Sequence, residues 1–111
     1  IAGAALETLF LQCVRAINDY HNLGYEIFFW RTQSGTEVDF VLYGEKGLHA
    51  FEIKHSTRVN SKSLKGLKLF LEDYPEAKAT LIYLGKHREY HGNIEVIPME
   101  AFLRELPKNI Q

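Results

Sequence analysis

The chain is poor in the residues that mark several protein classes. Its single cysteine, Cys13, rules out an intramolecular disulfide. Cys13 falls on the apolar face of a helical repeat, so it is read as a buried thiol and a reducing cytoplasm is the expected setting. No apolar run approaches the roughly 20 residues that a spanning helix needs, and nothing resembles a signal peptide, so no membrane partner is expected. Charge of neither sign is in excess. Thirteen Lys and Arg stand against 14 Asp and Glu, which argues against a histone-like basic binder and leaves a local basic patch open. Internal repeats and low-complexity segments are absent. A zinc constellation is also missing: His87 and His91 lie in a Gly-bounded polar stretch without further ligands. At 111 residues the chain is long enough for one core and too short for two. It opens at Ile1 without an initiator methionine, and is therefore read as an excised part of a longer protein.

What is present is concentrated between Gly35 and Lys54. Two strand-like runs there carry Glu37, Asp39, Glu52 and Lys54 at alternating positions. Folding the chain back about Glu45 and Lys46 sets Tyr43 against Leu48 and Val41 against Ala50. The same register sets Asp39 against Glu52 and Glu37 against Lys54. Side chains alternate along a strand, so those four charged groups emerge on one side, with Val38, Phe40, Phe51 and Ile53 on the other. Strands lie about 4.8 Å apart, which lets the Asp39 and Glu52 carboxylates share one divalent cation. Two carboxylates that close repel unless a cation or proton lies between them. A solvated, salt-bridged hairpin would carry the same charges. The strongly apolar flanks, and the turn of the charged face to Val41, Ala50, Tyr43 and Leu48, favour a partly covered site.

The rest of the chain reads as alternating elements. Leu6, Leu9, Phe10, Cys13, Val14 and Ile17 predict an amphipathic helix over 3–21, closed by Asn22-Leu23-Gly24. Glu26 to Thr32 predicts a buried strand, with Phe28, Phe29 and Trp30 in the core. Asn60 or Ser61 can cap a second helix with a stripe of Leu64, Leu67, Phe70 and Leu71. Ala79 to Leu84 reads as a central strand, Gly85 to Asn93 as a polar connection, and Ile94 to Ile97 as a short strand. Pro98 opens a last helix. The expected fold is α/β, a central mixed sheet flanked by helices in the order α-β-β-β-α-β-β-α.

A helix bearing Glu7, then Asp39 on the second strand of a meander, then Glu52-Ile53-Lys54 on the third, resembles the PD-(D/E)XK nuclease superfamily of restriction-endonuclease-like fold. The stretches Ala4-Ala5-Leu6-Glu7, Tyr25 to Leu42, Phe51 to Ser56, and Gly92-Asn93-Ile94 to Phe102-Leu103 go further. They are similar to the uncharacterised C-terminal domain that follows an AAA+ ATPase module in a large prokaryotic protein family. The likeness covers essentially the whole chain, 1–111, as a single domain. It departs from the namesake pattern at Val38, where that pattern has proline.

The resemblance implies Mg²⁺ or Mn²⁺ held by Asp39, Glu52 and the carbonyl of Ile53. It implies metal-dependent hydrolysis of DNA phosphodiesters, with Lys54 orienting water or neutralising phosphate charge and Glu7 holding a water or a second ion. By periodicity alone Glu7 is a boundary residue on its helix. For Glu7 to serve, the first helix must cross the charged hairpin face and cover Val41 and Ala50. Glu37 either joins the site or ion-pairs with Lys54. Arg31, Arg58, Lys62, Lys65 and Lys68 can form a phosphate-contacting rim, or a solvated face. Ser56 and Ser63 are accessory candidates that equally suit turns and caps. His55 points away from Lys54 and is assigned no role. The alternative function is a catalytically idle module for DNA binding, homo-oligomerisation or regulation of an attached AAA+ ATPase.

Overall fold

The computed structural model describes residues 3–110. Helix α1 (Gly3–Tyr20) buries Leu6, Phe10 and Val14, a spacing of four that lines one helix face. It stops where Asn22 and Gly24 take positive φ, 52° and 79°, and Leu23 N–H reaches back to the Asn18 carbonyl at 2.9 Å. Asn18 then fastens the exit. Its side chain donates to the Tyr25 carbonyl at 2.9 Å and accepts from Tyr25 N–H at 3.0 Å.

Six strands follow: β1 (Glu26–Arg31), β2 (Glu37–Gly44), β3 (Gly47–Ile53), β4 (Lys78–Tyr83), β5 (Glu89–His91) and β6 (Ile94–Pro98). They form one mixed sheet in the order β1-β2-β3-β4-β6-β5. The β1-β2-β3 meander is antiparallel, β3-β4-β6 is parallel, and β5 returns antiparallel to β6. A 3₁₀ turn (Ser61–Leu64) leads into α2 (Lys65–Asp73), which makes the crossover between β3 and β4. Asn60 caps that turn, accepting from Ser63 N–H at 3.0 Å. The chain closes with α3 (Met99–Arg104) and α4 (Leu106–Ile110).

The expected α/β architecture and element order are present, with two refinements. Gly85 to Asn93 is not all connection but contains β5, and the last helix is broken at Glu105. A third expectation is reversed. The first strand is not buried: β1 is a sheet edge, Phe28 is 44% and Phe29 72% exposed, and Trp30 packs edge-on against Phe70.

Two cores lie on the two faces of the sheet. One joins Phe10, Phe40, Phe51, Ile53, Ile82 and Ile97 to α1, α3 and α4. The other joins Val38, Val41, Ala50 and Leu81 to Leu64, Leu67 and Phe70 of α2 and its leading turn. Helix α1 therefore covers the Phe40–Phe51 face, and α2 covers Val41 and Ala50, opposite to the expected arrangement. Val38 is also displaced from the face of Phe40. The β1–β2 register steps from Phe28↔Val41 to Trp30↔Val38, so β2 carries one extra residue there. That bulge turns Val38 over to the α2 side.

Candidate functional site

The hairpin register is the expected one. A two-residue loop, Glu45-Lys46, joins Gly44 to its partner Gly47, and pairing runs through Val41↔Ala50 to Phe40↔Phe51. The paired ladder ends at Phe40↔Phe51, and beyond it Asp39 and Glu52 meet through a hydrogen bond between their side chains. The ladder stops there because the β2 bulge intervenes, and the Asp39 side chain accepts from Ile53 N–H at 2.8 Å. Lys54 N–H turns the other way, to the Ile82 carbonyl of β4 at 2.9 Å.

Glu52 faces α2, between Phe51 and Ile53, which point into the opposite core. It is 8% exposed. Burial raises its pKa far above the ordinary carboxylate range, and a hydrogen bond to Asp39 and that residue's charge add to the effect. Glu7 reaches Asp39 from the α1 side. Its pKa is also raised, by partial burial first and then by the charge of Asp39 and a hydrogen bond to it. The charge of Lys54 opposes both shifts. Asp39 thus stands between two carboxyl groups on opposite sides of the bulge.

Two clefts meet at this strand, each about 280 Å³. The first is lined by Asp39, Glu52, Lys54, Lys62, Ser63 and Lys65, and the second by Glu7, Arg31 and again Asp39. Glu37 lines both. Its carboxylate forms its ion pair with Arg31 and, among the described residues, none with Lys54. Arg31 thereby stands on the wall of the second cleft in an exposed ion pair with Glu37. Ser56 closes a turn, its hydroxyl donating to the Arg58 carbonyl and accepting from Arg58 N–H. Ser56, Arg58 and Lys68 line neither cleft. Ser63 serves both the Asn60 cap and the cleft wall.

The donor set can be tested against a divalent ion. Asp39 and Glu52 offer hard oxygens from two adjacent strands, and a cation between them would relieve the repulsion that helps to raise the Glu52 pKa. As a pair they fit Mg²⁺ or Mn²⁺. Among the described residues no three Asp, Glu, His or Cys side chains converge to hold one ion. Glu7 and Glu52 each contact Asp39, which joins the two acids. The Ile53 side chain lies in the core, leaving only its backbone at the site.

One contributor escaped the sequence reading. Gly66, in the first turn of α2, lies so near β2 that a Cβ there would meet the Glu37 carbonyl oxygen at 2.3 Å and Glu52 Oε2 at 3.5 Å. A glycine breaking an otherwise helical stripe was the available signal.

The matching family model is that of a domain of unknown function, DUF4143, over residues 2–102. The chain belongs to the DUF4143 family. Every candidate residue from Glu7 to Lys65 lies inside the matched stretch of this DUF4143 domain. The family description assigns no activity, and no curated protein matches the chain. Among the described residues no helix is long and apolar enough to cross a membrane.

Proposed function

We propose that this DUF4143 domain is a PD-(D/E)XK-type nuclease that hydrolyses DNA phosphodiesters with Mg²⁺ or Mn²⁺ and works beside an attached AAA+ ATPase. The observation that carries the reading is the Asp39–Glu52 pair. Two carboxyl groups are brought together on adjacent strands, one of them buried with its pKa raised, and Lys54 lines the same cleft. A purely structural hairpin gains nothing from burying an acid beside another acid, because the charged form is disfavoured twice.

When bound, the metal would supply Lewis-acid polarisation of the phosphate. Asp39 and Glu52 would hold it, and Glu7 would orient the open side of Asp39. The Lys54 ammonium would neutralise charge gathering on the phosphate oxygens and orient the attacking water. Lys62 and Lys65, on the cleft wall, would grip flanking phosphates, giving binding that weakens with salt.

The test is cleavage of DNA by the full-length protein with Mn²⁺, together with thermal melts of wild type and Asp39→Asn. Mn²⁺ at a hundredfold excess over its Kd should stabilise the wild type by about 2.7 kcal/mol. Asp39→Asn should abolish both the stabilisation and the cleavage. Unchanged midpoints with no cleavage would favour the second reading, an idle module that docks its ATPase or another copy. One observation supports that alternative: an apolar groove of about 330 Å³ beside the unprotected edge β1, lined by Phe28, Trp30, Tyr43, Phe70 and Tyr74.

A further inference from the structure

The sheet face under α1, α3 and α4 is apolar at one end only. Ile53, Ile82 and Ile97 form that end. Two residues earlier on β4 and β6, and four earlier on β3, the same face carries Thr80, Glu95 and His49. Two adjacent rows make up this end: His49 lies across from Lys78, and Thr80 lies between Phe51 and Glu95. Central parallel strands covered on both faces normally run apolar throughout. Packing alone therefore does not account for this polar end, which opens into a cleft of about 340 Å³ closed by α4 and the β5–β6 hairpin.

The hydrogen bonds define what the cleft offers. His49 is 4% and Thr80 8% exposed, and both line it. The Tyr25 hydroxyl lies 3.2 Å from His49 Nε2 and donates to the Ile110 carbonyl at 2.5 Å. A hydroxyl has one proton, so Nε2 must donate to it, which leaves Nδ1 of the neutral ring with a lone pair. That Nδ1 and the Thr80 hydroxyl have no protein partner among the described residues, and neither is a sealed, unsatisfied atom. Lys78 and Lys108 line the cleft without an ion-pair partner among the described residues. Its one acid, Glu95, is already held by Arg88 at 2.7 Å and by the Tyr90 hydroxyl at 3.2 Å.

Two unpaired cations, a hydroxyl and a lone-pair acceptor suit a ligand that carries negative oxygens together with one O–H. We propose that this cleft binds a monoprotonated phosphate group, free or as the monoester of a small molecule. Its charged oxygens face Lys78, Lys108 and the Thr80 hydroxyl, and its P–OH donates to His49 Nδ1. The cleft volume is at the small end of ligand pockets, about 300–1,000 Å³. Burial, aided by the Lys78 charge, holds the His49 pKa down to about 4, so Nδ1 is an acceptor at neutral pH. Sulfate and phosphodiesters carry charge without that proton and leave Nδ1 unmatched. The cleft lies on the opposite sheet face from Glu52, so this inference does not rest on the nuclease reading.

The experiment is an NMR titration of the intact chain, following the His49 ring and the amides of Lys78, Thr80 and Lys108. Inorganic phosphate and ribose 5-phosphate are expected to give saturable shifts, with sulfate and dimethyl phosphate binding at least about tenfold more weakly. Tighter binding of ribose 5-phosphate identifies a phosphorylated small molecule as the ligand; equal or tighter binding of inorganic phosphate identifies the free ion. Thr80→Val and Lys108→Gln should each weaken phosphate about fivefold or more while preserving the amide spectrum. Lys108 is exposed, so its variant remains informative if Thr80→Val fails to fold. Absence of saturable shifts at His49, equal binding of sulfate or dimethyl phosphate, or unaltered affinity in Lys108→Gln would overturn the proposal.

Discussion

The neighbourhood of Asp39 and Glu52 was legible because the position of a two-residue loop fixes the pairing of a hairpin as far as its first irregularity. Glu45-Lys46 sets the register as far as Phe40↔Phe51, which leaves Asp39 and Glu52 next to one another at its end. Glu37 was not legible, since it lies beyond the bulge, where alternation no longer predicts a partner; it takes Arg31 and not Lys54. His49 was invisible for another reason. Its partner Tyr25 is 24 residues away, and a lone histidine on a strand carries no spacing signal. Its burial has a measurable consequence. The folded-state pKa of about 4 is below the ordinary histidine value of 6.5, so the unfolded chain binds the proton more readily. The associated stability is complete above about 6.5 and is lost progressively as pH falls towards 4. The full effect is roughly 3 kcal/mol. Urea unfolding at pH 7.5 and 4.5 should show this loss, and a His49→Gln variant should lose less between the two.

At the scale of elements, the bulge in β2 and the close approach of α2 build the site together. The bulge ends the β2–β3 ladder and frees Asp39 to bond Ile53 N–H, while Gly66 lets α2 come near enough to bury Glu52. Gly66→Ala therefore sets two effects in opposition. Alanine favours a helix over glycine by about 1 kcal/mol, but its methyl would meet a backbone carbonyl oxygen that cannot rotate away. Overpacking of that kind costs about 1–3 kcal/mol or more. A net loss of stability is expected, read as a lower urea midpoint with an unchanged slope; a raised midpoint would show that α2 does not sit as close as described. The edge strands show where pattern reading stops. The Phe28-Phe29-Trp30 run looks like core by composition, yet edge position is decided by topology, which hydrophobicity does not encode. Glu89-Tyr90-His91 is too short and too polar to announce a strand, and exists through its pairing with β6.

In the whole molecule, the order of elements was readable because the helices carry a period of about 3.6 and the central strand β4 is a short run that is apolar on both faces. Which helix covers which face was not, because that depends on the crossover from β3 through α2 to β4 and on one inserted residue. The same topology separates the acidic pair from its cover in time. Asp39 and Glu52 belong to a local hairpin, a structure that closes in about 1–10 μs, whereas the wall that buries Glu52 arrives with residues 61–73 and the more distant contacts they require. The carboxylates therefore meet while still in water, and the late step is the exclusion of that water. If Glu52 enters as an anion beside Asp39, the docking of α2 is opposed. Metal-free refolding should slow as pH rises above the ordinary carboxylate range, and Mn²⁺ should abolish the dependence. The chain carries its own reporter: its single tryptophan, Trp30, rests on Phe70 of α2 with ring centroids 5.4 Å apart, so stopped-flow fluorescence times the arrival of that helix. A rate indifferent to pH would mean that the acids are covered before they are brought together.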